Sequence, residues 1–198
     1  MAEFDAVDAV DPIVLFETWF ELAKASEVND PNAMSLATAT AEGRPSVRMV
    51  LMKKVDEKGF TFYTNEQSQK GQELKANPHA ALCFHWKSMR RQVRVEGPVE
   101  PVSVADSDEY FHSRSRRSQI GAVASQQSRP LASRSELEEK AAGLAVQYPG
   151  TIPRPEHWRG FLVIPERIEF WQDGPDRLHD RILFERDGSR WNKMRLYP

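Results

Sequence analysis

Cysteine is almost absent from this 198-residue chain: Cys83 stands alone, so no disulfide can form within it. That usage is compatible with a reducing compartment. No apolar run approaches the roughly 18–20 residues needed to cross a bilayer. The opening MAEFDAVDAVDPIVLF is acidic and lacks the basic and apolar regions of a secretory signal, so a cytoplasmic protein is expected. GxGxxG, GxxxxGK[ST] and GxSxG are all missing. A bound nucleotide must therefore be held by other means, and nothing points to a nucleophile–base pair. His79, His85, His112 and His157 stand at no metal-ligand spacing from one another or from Cys83, so no metal is expected. A net charge of −2, from 27 basic and 29 acidic residues, gives no global field to recruit nucleic acid. Repeats and low-complexity segments are missing too.

The remaining composition is that of an ordinary globular protein, with 40% hydrophobic and 28% charged residues. A chain of this length can bury a core without staples. Residues 1–11 read as a loose, disordered acidic tail and 12–198 as one domain. Asp11 and Pro12 suit the cap and first turn of a helix, in which Val14, Leu15, Trp19, Leu22 and Ala23 recur at helical spacing. Strands are expected over 33–40, 46–53, 60–64, 79–86 and 92–99, with Gly97-Pro98 bending or ending the last. A short helix is expected over 68–76 and further helices over 103–112 and 135–147. Pro149, Pro153 and Pro155 mark a loop before three final strands, 160–171, 178–185 and 191–196, with the last hairpin at Asp187-Gly188. Mostly antiparallel strands with helices between them predict an α+β fold built on a barrel or sandwich.

Four constellations could carry chemistry. In Arg177-Leu178-His179-Asp180-Arg181, a strand would set two guanidiniums and an imidazole in a row on one face. Such a row suits an anionic, electron-rich ligand or the solvated face of an edge strand. Tyr110, Arg114 and Ser118, four apart on a helix, form a stripe of donors for phosphate oxygens or an exposed basic helix end. Arg48 and Lys53 bound an apolar strand, but their odd spacing puts them on opposite faces unless the strand ends or bulges. In Phe170-Trp171-Gln172, alternation sends Phe170 inward with Ile168 and Trp171 to the other face. Gln92, Gln127 and Ser128 are only polar residues until a ligand is proposed. Cys83, flanked by Leu82 and Phe84, reads as a structural thiol. The basic stretches 87–94 and 114–117 read as solvated surface or as a pocket for one or two phosphates.

Together, RMVLMK (48–53), FYTN (62–65), RQV (91–93), YFHSR and SQIGA (within 110–122), QS (127–128), IEFWQ (168–172), RLHDR (177–181) and RLYP (195–198) resemble the pyridoxamine 5'-phosphate oxidase family in order and spacing. The resemblance runs from about Asp30 to the end of the sequence. It implies an FMN-binding split β-barrel, mostly antiparallel with peripheral helices, and a homodimer holding FMN at the subunit interface. It also implies oxidation of pyridoxamine and pyridoxine 5'-phosphates to pyridoxal 5'-phosphate, with dioxygen reduced to peroxide. By the same resemblance, FMN contacts fall on Arg48, Met49, Val50, Leu51, Met52, Lys53, Tyr63, Thr64, Gln69, Lys70, Gln92, Gln127, Ser128, Trp171 and Arg181. Lys53, Tyr110, Arg114 and Ser118 take the substrate phosphate. Arg177, Leu178 and His179 meet its ring, with Arg177 and His179 as the catalytic pair, and Asp30 matches an acidic position near the substrate. Two departures stand out. Gln69 replaces an arginine common in the family, which predicts weaker FMN binding, and the N-terminus lacks the basic, Tyr-containing segment of some relatives.

Overall fold

The computed structural model describes residues 5–198. Ten strands are joined only by antiparallel pairs: β1 (Ala33–Ala39), β2 (Pro45–Leu51), β3 (Lys54–Asp56), β4 (Gly59–Asn65), β5 (His79–Trp86), β6 (Arg91–Pro101), β7 (Trp158–Val163), β8 (Arg167–Gln172), β9 (Asp180–Asp187) and β10 (Arg190–Arg195). The main path runs β10-β9-β8-β6-β5-β1-β2, and a second leaf, β3-β4-β7, joins it through β6. Five helices decorate this curled sheet: α1 (Pro12–Ser26), α2 (Gln69–Ala76), α3 (Val104–Ser113), α4 (Arg116–Ala124) and α5 (Arg134–Gln147). The architecture is the expected α+β split barrel.

β6 is the hinge of the two leaves. Its residues 91–96 pair with β8 and 99–101 with β7, so the strand changes partners at Gly97-Pro98. A β-carbon on Gly97 would sit 1.9 Å from the Ile164 carbonyl oxygen, which restricts the site to glycine. The same crossing divides the expected 160–171 strand into β7 and β8, because Pro165 lies between them and Glu166 N–H bonds the Glu96 carbonyl across the bend. The expected 46–53 strand also stops early, at Leu51.

Helix α1 closes the barrel. Asp11 caps it, accepting from the Ile13 and Val14 amides at 2.8 and 3.3 Å, and Pro12 fills the first turn. Its buried stripe is Ile13, Leu15, Phe16, Trp19 and Ala23, whereas Val14 and Leu22 face outward. Phe16 packs edge-on against Phe60 and Phe84, with ring centroids 4.8 and 4.9 Å apart, and Trp19 against Phe170 at 5.1 Å. Each such ring buried is worth about 1.5–3 kcal/mol. Phe170 and Ile168 point into this core, as alternation requires, and Cys83 is half-buried.

The N-terminal stretch read as a loose tail is docked from Asp5 onward; Met1–Phe4 lie outside the described residues. Asp5–Val7 forms a 3-10 turn with Ala6 fully buried. Asp5 accepts from the Trp19 indole at 2.8 Å and lies 3.6 Å from the Arg91 guanidinium. Among the described residues no helix is long and apolar enough to cross a membrane, and no group of three or more His, Cys, Asp or Glu could hold a metal.

Candidate active site

A cavity of about 530 Å3 opens beside β2 and β4. Met49, Val50 and Leu51 of β2, Lys53 just beyond it, and Tyr63, Thr64 and Asn65 of β4 line it. Lys70 enters from α2, Tyr110 from α3, Ser118 from α4, Gln127 from the following loop, and Trp158 from β7. Arg114 sits in the link between α3 and α4.

The Tyr110–Arg114–Ser118 stripe does reach one cavity, but not along a single helix. α3 stops at Ser113, Arg114 is extended, and Ser115 caps α4 by accepting from the Ser118 amide at 3.3 Å. Serine hydroxyls compete with helical backbone bonds, and here Ser113 donates to the Tyr110 carbonyl at 2.8 Å. Gln119 fastens the link, donating to the Arg114 carbonyl at 2.8 Å.

Tyr63, Tyr110 and Trp158 stack, with Tyr63 4.1 Å from Tyr110 and 5.3 Å from Trp158, and the Arg114 guanidinium lies over Trp158 at 4.9 Å. Arg114 Nη1 is buried with no hydrogen-bond partner. Burial lowers the Arg114 pKa, and the neighbouring Tyr110 only partly opposes this. Leaving a buried cationic donor unmade costs at least about 1–3 kcal/mol, which an incoming anion would relieve.

Lys70 repeats the pattern. It is buried, and among the described residues its ammonium reaches only neutral acceptors, Gln127 Oε1 at 3.0 Å and Ser68 Oγ at 3.5 Å. Burial depresses its pKa, the Arg48 charge depresses it further, and Glu73 pulls the other way. Thr64 donates to the same Gln127 oxygen at 3.1 Å.

Arg48 is turned to a carboxylate beside the cavity. Its guanidinium donates to Thr38 and Ser46 hydroxyls, each at 2.5 Å, and to Glu73 Oε2 at 3.3 Å. Thr38 and Ser46 donate onward to the same Glu73 oxygen. Gln69 Nε2 donates to Glu73 Oε1 at 2.9 Å, so this side chain serves the carboxylate. Burial alone would raise the Glu73 pKa, but the bonds from Ser46, Thr38 and Gln69 and the Arg48 charge hold it at about 2. Because β2 ends at Leu51, Lys53 escapes the strand alternation and reaches the cavity wall, while Arg48 takes the other side. Met52 is a core residue, 3% exposed.

A second group lies elsewhere. Gln92, Trp171 and Arg181 are register neighbours on β6, β8 and β9. The His179 ring sits 4.8 Å from that of Trp171. Arg177, His179 and Arg181 do not form the expected row on one strand. β9 starts only at Asp180, and Pro175–Arg177 is a 3-10 turn in which Asp176 and Arg177 have φ of 53° and 63°. Pro175 lacks the amide that a strand ladder needs and opens the turn instead. Arg181 grips Glu169 through two bonds of 2.8 and 3.0 Å and the Tyr197 carbonyl at 2.8 Å. The Glu169 hydrogen bond and charge raise its pKa against the opposing effect of burial. Leu178 is exposed, and Ser128 follows Gln127 with a φ of 69°.

None of this second group lines the first cavity. Four strand spacings separate β8 from β2 along the sheet path, about 19 Å at ~4.8 Å each. Asn65, Ser125, Trp158 and Glu73 belong to the site region without having been assigned a role from sequence. Asn65 ends the FYTN segment and was within reach. Glu73 and Trp158 carry no local signal, since their partners are distant in the chain.

Residues 21–148 match the family model described as pyridoxamine 5'-phosphate oxidase, and residues 158–198 match that of the pyridoxine 5'-phosphate oxidase C-terminal dimerisation region. The chain belongs to the pyridoxamine 5'-phosphate oxidase family. It is 60% identical over 200 residues to the pyridoxine/pyridoxamine 5'-phosphate oxidase of Gluconobacter oxydans, covering 100% of both chains. To the enzyme of the same name from Rhodospirillum rubrum it is 62% identical, over 95% of this chain and 96% of the relative. Among solved structures it resembles PhzG from Burkholderia lata, in complex with tetrahydrophenazine-1-carboxylic acid, with a TM-score of 0.94 at 33% identity, covering 100% and 98% of the two chains. A pyridoxamine 5'-phosphate oxidase-related, FMN-binding protein from Nostoc punctiforme shares the fold, with a TM-score of 0.78 at 17% identity over 96% and 100%. Members of the family are FMN-dependent oxidoreductases, and the matched C-terminal region supports a homodimer.

The donors present fit such a cofactor and a second phosphate. Among the described residues, the buried Lys70 and the half-buried Arg114 have no anionic partner, and Thr64, Gln127, Tyr110 and Ser118 add neutral donors around the same space.

Proposed function

We propose that the protein oxidises pyridoxamine 5'-phosphate and pyridoxine 5'-phosphate to pyridoxal 5'-phosphate, with dioxygen as acceptor. The amine reaction consumes water and dioxygen and releases ammonia and hydrogen peroxide; the alcohol reaction needs no water and releases peroxide alone. This supplies the aldehyde form of vitamin B6 by synthesis or salvage, in the cytoplasm. The observation that carries this reading is the buried, unpartnered Arg114 Nη1 beside Tyr110 and Ser118.

FMN, when bound, supplies the two-electron acceptor. Lys70, with Arg48 behind it, neutralises the FMN phosphate, and Met49, Val50, Leu51, Tyr63, Thr64 and Gln127 line the rest of its site. Gln92, Trp171 and Arg181 complete it from the partner subunit, together with Ser128. Lys53, Tyr110, Arg114 and Ser118 hold the substrate phosphate by charge-assisted bonds. Arg177 and His179 of the partner hold the ring and orient the reacting carbon, so that binding energy at the phosphate is spent on alignment. The site lies at the interface of two copies, because the two residue groups occupy separate regions of one chain.

PhzG, seen with a tetrahydrophenazine carboxylic acid, motivates a second reading, a flavoprotein acting on a carboxylated ring. The 55–62% identical relatives, all named as the phosphate oxidase, weigh against it. The discriminating experiment loads the protein with FMN, adds pyridoxamine 5'-phosphate or phosphate-free pyridoxamine in air, and follows aldehyde and peroxide. Turnover of the phosphate ester alone, with a KM raised on the order of tenfold or more in Arg114→Ala, is expected. Equal turnover of both compounds, or of neither, would overturn the proposal.

A further inference from the structure

The connection between β8 and β9 is fastened through Asp173. Its amide donates to the Arg90 carbonyl at 3.0 Å, tying it to the β5–β6 hairpin, and the Arg90 guanidinium donates to Asp173 Oδ2. The other carboxylate oxygen, Oδ1, lies 3.1 Å from His179 Nδ1. A competing group reaches the same ring nitrogen: the Gly174 amide points at Nδ1 from 3.2 Å. Gly174 is pressed against the loop, since a β-carbon there would lie 2.2 Å from the Leu178 carbonyl oxygen. Nε2 of His179 makes no protein hydrogen bond among the described residues. Of the other charged side chains nearby, Arg181 pairs with Glu169 and Asp180 with Arg195, while Asp176 and Arg177 of the same connection are exposed.

Nδ1 can satisfy only one claimant. If it is bare, it accepts from Gly174 and the proton sits on Nε2, but a lone pair then faces an anionic oxygen. If it is protonated, it donates to Asp173, and Nε2 carries the lone pair. A hydrogen bond to an ionised acceptor is roughly twice as strong as a neutral one, so the carboxylate wins. The bond made by one ring nitrogen decides what the other presents.

We propose that Asp173 is the positioning residue of His179: it fixes the Nδ1–H tautomer and so presents Nε2 as a hydrogen-bond acceptor to the substrate. This rests on the reading of His179 as a group that meets the substrate ring. Asp173→Asn tests it sharply. Arg90 takes the single amide oxygen, which turns the NH2 group onto Nδ1 and imposes the opposite tautomer.

The experiment records 15N chemical shifts of the imidazole in FMN-loaded protein at about pH 9, where an ordinary histidine is neutral, with FMN affinity and steady-state kinetics alongside. The expected result is Nδ1–H in the parent, Nε2–H in Asp173→Asn, and return of Nδ1–H in Asp173→Glu. kcat/KM should fall on the order of tenfold in Asp173→Asn, with the FMN dissociation constant unchanged. An Nε2–H parent, or a tautomer that does not respond to Asp173→Asn, overturns the proposal. His179→Ala is measured in parallel. Full turnover in that variant would sink the role of His179 itself, whereas the tautomer measurement judges Asp173 independently.

Discussion

At the scale of single residues, buried cationic donors facing neutral groups mark the site. The Lys70 ammonium is buried against neutral acceptors, and the half-buried Arg114 has a buried Nη1 with no partner. Glu73 is the counterweight: a carboxylate held at about 2 by Ser46, Thr38, Gln69 and Arg48. Its value is depressed from 4.5, so its contribution to stability is complete above that pH. It is lost as pH falls from 4.5 to about 2. Glu73→Gln should therefore flatten the acid limb of a stability–pH profile. At neutral pH it should cost about 2 kcal/mol in chemical denaturation. It also frees Arg48, so FMN affinity should change while the KM for the phosphate substrate stays near the parent value. An unaltered acid limb would show that Glu73 is not held as described. The Gln69 departure has a specific reading in this network: the amide donates to Glu73, so restoring arginine by Gln69→Arg should strengthen FMN binding. Titration of the apoprotein with FMN measures this.

At the scale of elements, one bend sets the geometry. β6 serves both leaves only because Gly97 lets the Ile164 carbonyl approach. Gly97→Val should lower the thermal midpoint by at least the few degrees that about 1–3 kcal/mol represents. FMN loss should accompany it, since β4 and β7 carry Tyr63 and Trp158. A variant with parent stability would remove the bend from the account. Periodicity and turn chemistry located nearly all the elements, because capping and alternation are local. Asp11-Pro12, Ser103 and Asp187-Gly188 each sit at the expected boundary. What escaped were the short strand β3, the helix α4 and the interruptions. Serine at 113 and 115 splits a helix, Pro165 splits a strand, and Pro175 delays β9. Each has a local cause but is decided by tertiary partners: Gln119 on the Arg114 carbonyl, Glu96 at the strand crossing, and the His179 loop. The family segments nevertheless include Lys53, Tyr63, Tyr110, Arg114, Ser118 and Gln127, which the fold brings to one cavity. The partners of other assigned residues, Glu73 for Arg48 and Asp173 for His179, were not legible in the sequence, because register and long-range packing set those contacts.

At the scale of the whole molecule, the residues proposed for one reaction lie in two separate groups. The proposed phosphate-holding group faces the cavity by β2 and α3–α4, and the proposed ring-holding residues Arg177 and His179 lie in the connection between β8 and β9. Along β2, Val47, Met49 and Leu51 are exposed in the single chain, an apolar strip beside that cavity. A two-fold dimer in which each site takes one group from each copy unites them, and this is the central claim. It is tested most directly by co-expressing Arg114→Ala and His179→Ala subunits and assaying at substrate concentrations well below the parental KM, where each homodimer should turn over on the order of tenfold or more slower than the parent. A mixed dimer then holds one site with both lesions and one with neither, so random pairing should restore about a quarter of parental turnover of pyridoxamine 5'-phosphate. Mixed dimers as slow as the two homodimers would place both groups in the same chain's site and contradict the account.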